Sequence, residues 1–344
     1  MGTTTRSLLS SFQSETKSAL FDTLKGTENV ALLDFPSHMN VGDGMIWAGE
    51  REYLKSLDIQ VRYASDIERY SPAALRKLHP KGAILLHGGG NLGDVWPKFQ
   101  SFRERVIQDF PDRKIIQLPQ TLFFNSTERA REANRIFGSH SDLTVMLRDE
   151  NSMQRAENLL PSVRKIFVRD MALGWDPNAS ASDGSREVLI LARNDTEAKG
   201  STASAAKELR GIAQVEVADW GLRGLHLAKW KAAKLPGRIA RQHGKLLDAG
   251  TTARLLASSY DRMLAMNLKA GVDQFRDRKL IITDRLHAHV LASMMQIPHV
   301  VLDNSYGKVR SIYDNYTHQF PSAHFATSQH EAVELAATLL SGKS

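Results

Sequence analysis

The feature that most constrains this chain is an alternation of short β-rich runs with segments of helical periodicity. NVALLDF, around residues 30–36, precedes a helical pattern over 43–57, and GAILLHG (82–88) precedes one over 97–110. KIIQLPQ (114–120) leads into 127–138, LTVML (143–147) into 149–160, and KIFVRD (165–170) ends the series. Such alternation predicts βαβ units wound around a parallel sheet. The stretch GWDPNASASDGS (174–185) is rich in turn residues and reads as a linker. A second series then begins: EVLILAR (187–193), a helix over 202–212, QVEVADW (214–220), helical stretches between 222 and 272, KLIITDR (279–285), a helix over 286–295 and PHVVLD (298–303). The expectation is an α/β protein of two Rossmann-like domains, residues 1–174 and 186–344, joined by 175–185 and facing a central cleft. The last helix is expected to pack back on the first domain.

In parallel sheets ligands gather where strands end and loops begin. The first strand ends in FPSHMNVGDG, which puts His38, Asn40, Gly42 and Asp43 just before a helix. Strand 82–87 ends in HGGGNLGD, with Gly88, Gly89, Gly90, Asn91 and Asp94, followed by Trp96 and Pro97. The G-x-G-x-x-G spacing of Gly88, Gly90 and Gly93 suits backbone approach to a phosphate, but three residues separate the last glycine from the proline that opens the helix, unlike a dinucleotide fingerprint. The HGGG run also lacks the G-x-S-x-G elbow that a serine hydrolase requires. In the second series, ILARND places Arg193 past a strand, and TDRLH places Arg285 and His287 where a strand passes into a helix.

The absence of cysteine excludes thiolate nucleophiles, disulfides and Cys-ligated metals. No HExxH pattern occurs, and HEAVE at 330–334 lacks the second histidine, so no catalytic metal or other cofactor is expected. No run of about 18 apolar residues is present, which predicts a cytoplasmic protein. The net charge of +7 favours anionic partners. The stretch 223–245 carries Arg223, Lys229, Lys231, Lys234, Arg238, Arg241 and Lys245 without one acidic residue, interleaved with Trp230 and leucines. This pattern suits peripheral contact with an anionic membrane, with Trp230 as anchor, and equally a solvated helix face. Nucleic-acid-binding signatures are missing.

HGGGNLGDVWP, the upstream NVGD and DRLHAHVLASMMQIPHVVLDNSYGKVRSIYD, in this order, resemble the polysaccharide pyruvyl transferases from about residue 28 to 320. The resemblance implies a GT-B-like fold, phosphoenolpyruvate as co-substrate, and an acceptor hydroxyl pair on an exopolysaccharide or its lipid-linked precursor, at the inner membrane face. It associates Arg193, Arg285 and His287 with the donor. The chemistry is consistent, because guanidinium forks bind carboxylate and phosphate bidentately. Forming a pyruvate ketal requires a proton on the donor methylene, and His287, with imidazole's ordinary pKa of about 6.5, is the candidate acid. Asp43 or Asp94 would take the hydroxyl proton, with Asn40, Gly42, Gly88, Gly89, Gly90, Asn91 and Trp96 forming the acceptor side. Two other readings use the same features: a GT-B glycosyltransferase with a nucleotide-sugar donor, and a non-enzymatic membrane- or polyanion-binding module.

Overall fold

The computed structural model describes residues 4–179, 186–192, 205–242, 250–303 and 307–341. The first sheet has seven parallel strands: β1 (Asn29–Leu33), β2 (Gln60–Ser65), β3 (Ala83–Leu86), β4 (Gly89–Gly93), β5 (Ile115–Phe123), β6 (Leu143–Leu147) and β7 (Arg164–Phe167). Their order is β2-β1-β3-β5-β6-β7, and β4 continues after β3 along the same edge of β5. Central strands such as AILL of β3 and LTVML of β6 are buried along their whole length, as expected where helices cover both faces. Edge strand β2 is different, with Gln60 and Arg62 exposed, so its sequence lacks a continuous apolar run.

Helices α1 (Thr5–Thr23), α2 (Val41–Ser56), α3 (Pro72–Leu78), α4 (Pro97–Asp109), α5 (Thr127–Gly138) and α6 (Glu150–Leu159) belong to this half. Their starts follow capping chemistry: the side chains of Asn40, Ser71, Ser126 and Asp149 each accept a first-turn N–H. A 3-10 turn, Met171–Gly174, follows β7 and packs closely against α2.

The second sheet has five parallel strands, β8 (Arg186–Leu191), β9 (Val215–Ala218), β10 (Arg278–Thr283), β11 (His299–Leu302) and β12 (Ala323–Ala326), in the order β12-β11-β10-β8-β9. With it come α7 (Ala205–Leu209), α8 (Gly224–Ala233), α9 (Leu235–Gln242), α10 (Gly250–Phe275), α11 (Leu286–Met294), α12 (Lys308–Asn315) and α13 (Gln329–Leu340). The expectation for the last helix is corrected here: α13 lies on its own sheet, against α7, β10, β11 and β12, because Ala332, Ala336 and Leu339 face that sheet's apolar core. It is α1 that crosses between the halves. Its residues Leu8, Phe12, Thr16 and Leu20 form one buried stripe, and Phe12 meets Tyr316 and Phe320 edge-on with ring centres 5.8 and 6.0 Å apart. Helix α10 makes a second bridge, packing on α2 and β2. These contacts bring the carboxyl ends of strands from both sheets around one cavity.

Candidate active site

The cavity measures about 450 Å3 and is lined from both halves of the chain. One wall is cationic. Arg148 directly follows β6, Arg285 sits at the turn between β10 and α11, and Lys308 opens α12. A Cβ added to Gly90 would stand 2.9 Å from Arg148 Nη2 and 3.5 Å from Lys308 Nζ, so these two cations converge on one glycine. Lys308 also donates to the Gly90 carbonyl at 2.8 Å. Arg285 places Nη2 2.6 and 2.7 Å from the two oxygens of Asp219, and its guanidinium lies 5.5 Å from the centre of the Trp220 ring.

His287 stands among these groups. Its Nε2 is 3.2 Å from Oδ2 of Asp170, a buried carboxylate three residues beyond β7 that also accepts from Arg148 Nη1 at 2.6 Å. Burial alone would raise the Asp170 pKa, but the charge of Arg148, and then His287, holds it well below the usual carboxylate range. An ionised carboxylate only accepts, so Nε2 carries the proton shared with Asp170. A Cβ at Gly42 would lie 2.7 Å from both His287 Cβ and Nδ1. The first turn of α2 thus closes against the ring only because residue 42 has no side chain.

The cavity is also lined by His38, Asn40 and Asp43, next to the first turn of α2 that packs on His287. Asn40 caps α2 through its Oδ1, which accepts from Gly42 N at 2.9 Å, while its Nδ2 donates to Asp43 Oδ2 at 2.8 Å. His38 Nε2 meets the same Asp43 oxygen at 2.7 Å. Burial opposes ionisation of Asp43, yet the hydrogen bond and charge of His38 hold its pKa far down. Burial likewise works against charge on His38, and Asp43 more than offsets it, leaving the imidazole pKa raised. The aromatic rings of Trp96, Phe99 and Trp220 complete the lining.

The expected residues therefore divide. Arg285, His287, Asn40, Asp43, Gly90, Asn91 and Trp96 line the cavity, and Gly42 packs beneath it. Arg193 lies outside the described residues. Asp94 is corrected: it does not line the cavity, since Oδ1 accepts from Asn125 N at 2.7 Å and Oδ2 from Ser126 N at 2.7 Å, fixing the approach to α5. Gly88 and Gly89 are also corrected. Neither lines the cavity as an acceptor-side group: Gly89 begins strand β4, and Gly88 N donates to the buried carboxylate of Glu50 at 2.8 Å. Asn91 is committed as well, its side-chain oxygen accepting from Arg103 and from Gln120 Nε2. Trp230 is buried, with Lys234 over its ring at 5.1 Å, and cannot serve as a membrane anchor.

Sequence reasoning placed His38 in the first strand-end loop without a role and missed Arg148, Asp170 and Lys308. All four follow a parallel strand within a few residues, so the rule that selected Arg285 could have selected them.

The two-sheet α/β scaffold holds a cationic cavity at its strand ends with a carboxylate-oriented histidine, an arrangement suited to anionic groups. The family model for polysaccharide pyruvyl transferase matches residues 40–306. The chain belongs to that family and is a pyruvyl transferase acting on a glycan. It is 29% identical over 309 residues to Pyruvyl transferase 1 of Schizosaccharomyces pombe, covering 85% of this chain and 71% of that one. It is 28% identical over 310 residues to EpsO of Bacillus subtilis, covering 89% and 90%. A solved Klebsiella pneumoniae protein of uncharacterized function shares the fold, with TM-score 0.56, 17% identity, and coverage of 92% of this chain and 99% of that one.

Proposed function

We propose that the protein transfers pyruvate from phosphoenolpyruvate to two hydroxyls of one sugar, forming a cyclic ketal and releasing phosphate. The observation that carries this reading is the convergence of Arg148, Arg285 and Lys308 beside His287 in one cavity. A donor with both a carboxylate and a phosphate requires that density of cations, and guanidinium and ammonium groups suit the two anions. His287 in its imidazolium form delivers a proton to the donor methylene, which becomes a methyl group while C2 turns electrophilic. One sugar hydroxyl adds to C2 and loses its proton to the His38–Asp43 pair. The second hydroxyl then displaces phosphate from C2 and passes its proton back to His287, giving the ketal and inorganic phosphate. Asp170 stabilises the imidazolium and fixes its ring, as an orienting carboxylate does in other acid–base pairs. The aromatic rings of the cavity offer faces for the sugar, and the two sheets around one cleft are consistent with a GT-B-like frame.

The test is incubation with phosphoenolpyruvate and candidate oligosaccharides, following phosphate release and a pyruvyl mass increment on the glycan. His287→Gln should keep donor binding, read as thermal protection by phosphoenolpyruvate, and lose turnover. Protection by nucleotide sugars but not by phosphoenolpyruvate would overturn the reading.

A further inference from the structure

The basic segment after β9 folds as α8 and α9, and α9 has two unlike faces. Inward, Gly237 and Ala240 are buried, and Arg69 Nε donates to the Gly237 carbonyl at 2.7 Å. Outward, Leu235 and Ile239 stand one turn apart and are 52% and 47% exposed, with Arg238 exposed between them. Leu225 on α8 is 68% exposed. Residues 223–242 hold six cations and no acid. Among the described residues Lys229, Lys231 and Arg238, all exposed, make no ion pair, whereas Arg241 pairs with Glu68 at 2.9 Å. The segment is also tied to the acceptor wall, because Lys234 Nζ donates to the Ser37 carbonyl at 2.7 Å, one residue before His38. No described helix is long and apolar enough to cross a membrane.

We infer that the outer face of α9, with Leu235 and Ile239 as apolar contacts and Arg238 as a cationic one, together with Lys231 in the last turn of α8, docks on an anionic lipid bilayer. Exposed aliphatic side chains flanked by cations, with the nearby carboxylate of Glu68 already paired to Arg241, match such a surface in both apolarity and charge. The role of this surface rests on the transfer reading above: it holds the His38–Asp43 wall where a glycan on a membrane-embedded lipid presents its sugar. The binding itself does not depend on that reading.

The experiment is co-sedimentation of the full chain with vesicles of equal parts phosphatidylglycerol and phosphatidylcholine, and with phosphatidylcholine alone. Binding is expected to the first only, and to weaken in high salt. Each cation near the surface contributes about a fivefold factor, so Lys231→Glu with Arg238→Glu should weaken binding more than about 25-fold. Leu235→Ser with Ile239→Ser should also release the protein, while both pairs keep thermal protection by phosphoenolpyruvate. Failure of the wild-type chain to sediment with anionic vesicles overturns the inference, as does equal binding by the variants. Loss of donor protection in the variants, or a changed oligomeric state without changed vesicle binding, overturns it too. Absence of donor protection in the wild-type chain would instead refute the transfer reading and leave the docking result standing.

Discussion

Asp34 ends β1 in a left-handed backbone conformation, φ 72°, with 4% of its surface exposed. Burial pushes its pKa from 3.8 up to about 6, although the charges of Arg103, His87 and His38 pull it down, and Asp43 adds to the rise. A carboxyl that is harder to ionise in the fold than in the unfolded chain destabilises the fold once the unfolded chain can ionise. Below the unfolded pKa both states are protonated and the penalty vanishes; it grows between 3.8 and about 6 and is constant above. At about 1.4 kcal/mol per pH unit, the full penalty is about 3 kcal/mol. Asparagine has the same shape, stays neutral and tolerates the left-handed conformation. Asp34→Asn should therefore stabilise the protein by up to about 3 kcal/mol at about pH 7.5 and by almost nothing at about pH 3.5. Urea unfolding of both proteins across this range measures the difference. A difference that does not grow with pH, or a less stable variant near neutrality, would refute the assignment of a costly buried charge. Removing Asp34 also removes an influence that raises the His38 pKa, so the acidic limb of activity that His38 sets as proton acceptor should move to lower pH.

Arg285→Lys should weaken phosphoenolpyruvate binding by at least about tenfold in calorimetry, because an ammonium can neither fork across Asp219 and a donor anion nor lie flat beside Trp220. Gly42→Ala should lower thermal stability and cut turnover about hundredfold, since the new methyl would stand 2.7 Å from His287 Cβ and Nδ1 and must push the residue aside. Asp94→Ala should cost about 1–2 kcal/mol in unfolding free energy from the lost anchors at Asn125 and Ser126, yet keep kcat/KM, which would separate its structural role from the part played by Asp43.

The strand–helix alternation was legible because the central strands are buried on both faces and their apolar runs are continuous, as in AILL and LTVML. Strand β2 escaped because its outer residues face solvent, and α1 escaped because its buried stripe is spread among polar residues whose purpose appears only when Phe12 meets Tyr316 and Phe320. The glycine run misled for a related reason. Glycine spacing describes how closely a backbone can be approached, and here what approaches Gly90 is Arg148 and Lys308 from the protein itself.

The histidine shows where local reading stops. The turn from β10 into α11 locates His287, but its proton-carrying nitrogen is decided by Asp170, 117 residues earlier in sequence. Asp170 is in turn kept ionised by Arg148 at the end of another strand, and the ring's position is fixed by the bare backbone of Gly42. Three of these groups come from the first sheet and the histidine from the second. The cations lining the cavity are divided in the same way, Arg148 on one side and Arg285 and Lys308 on the other. Neither half holds a complete site, so whatever shifts one sheet against the other acts on donor binding and on His287 together. Shortening the stripe of α1 by Phe12→Ala, remote from the cavity, should accordingly lower donor affinity and turnover in parallel, whereas damage to the acceptor wall alone would lower turnover and spare donor binding.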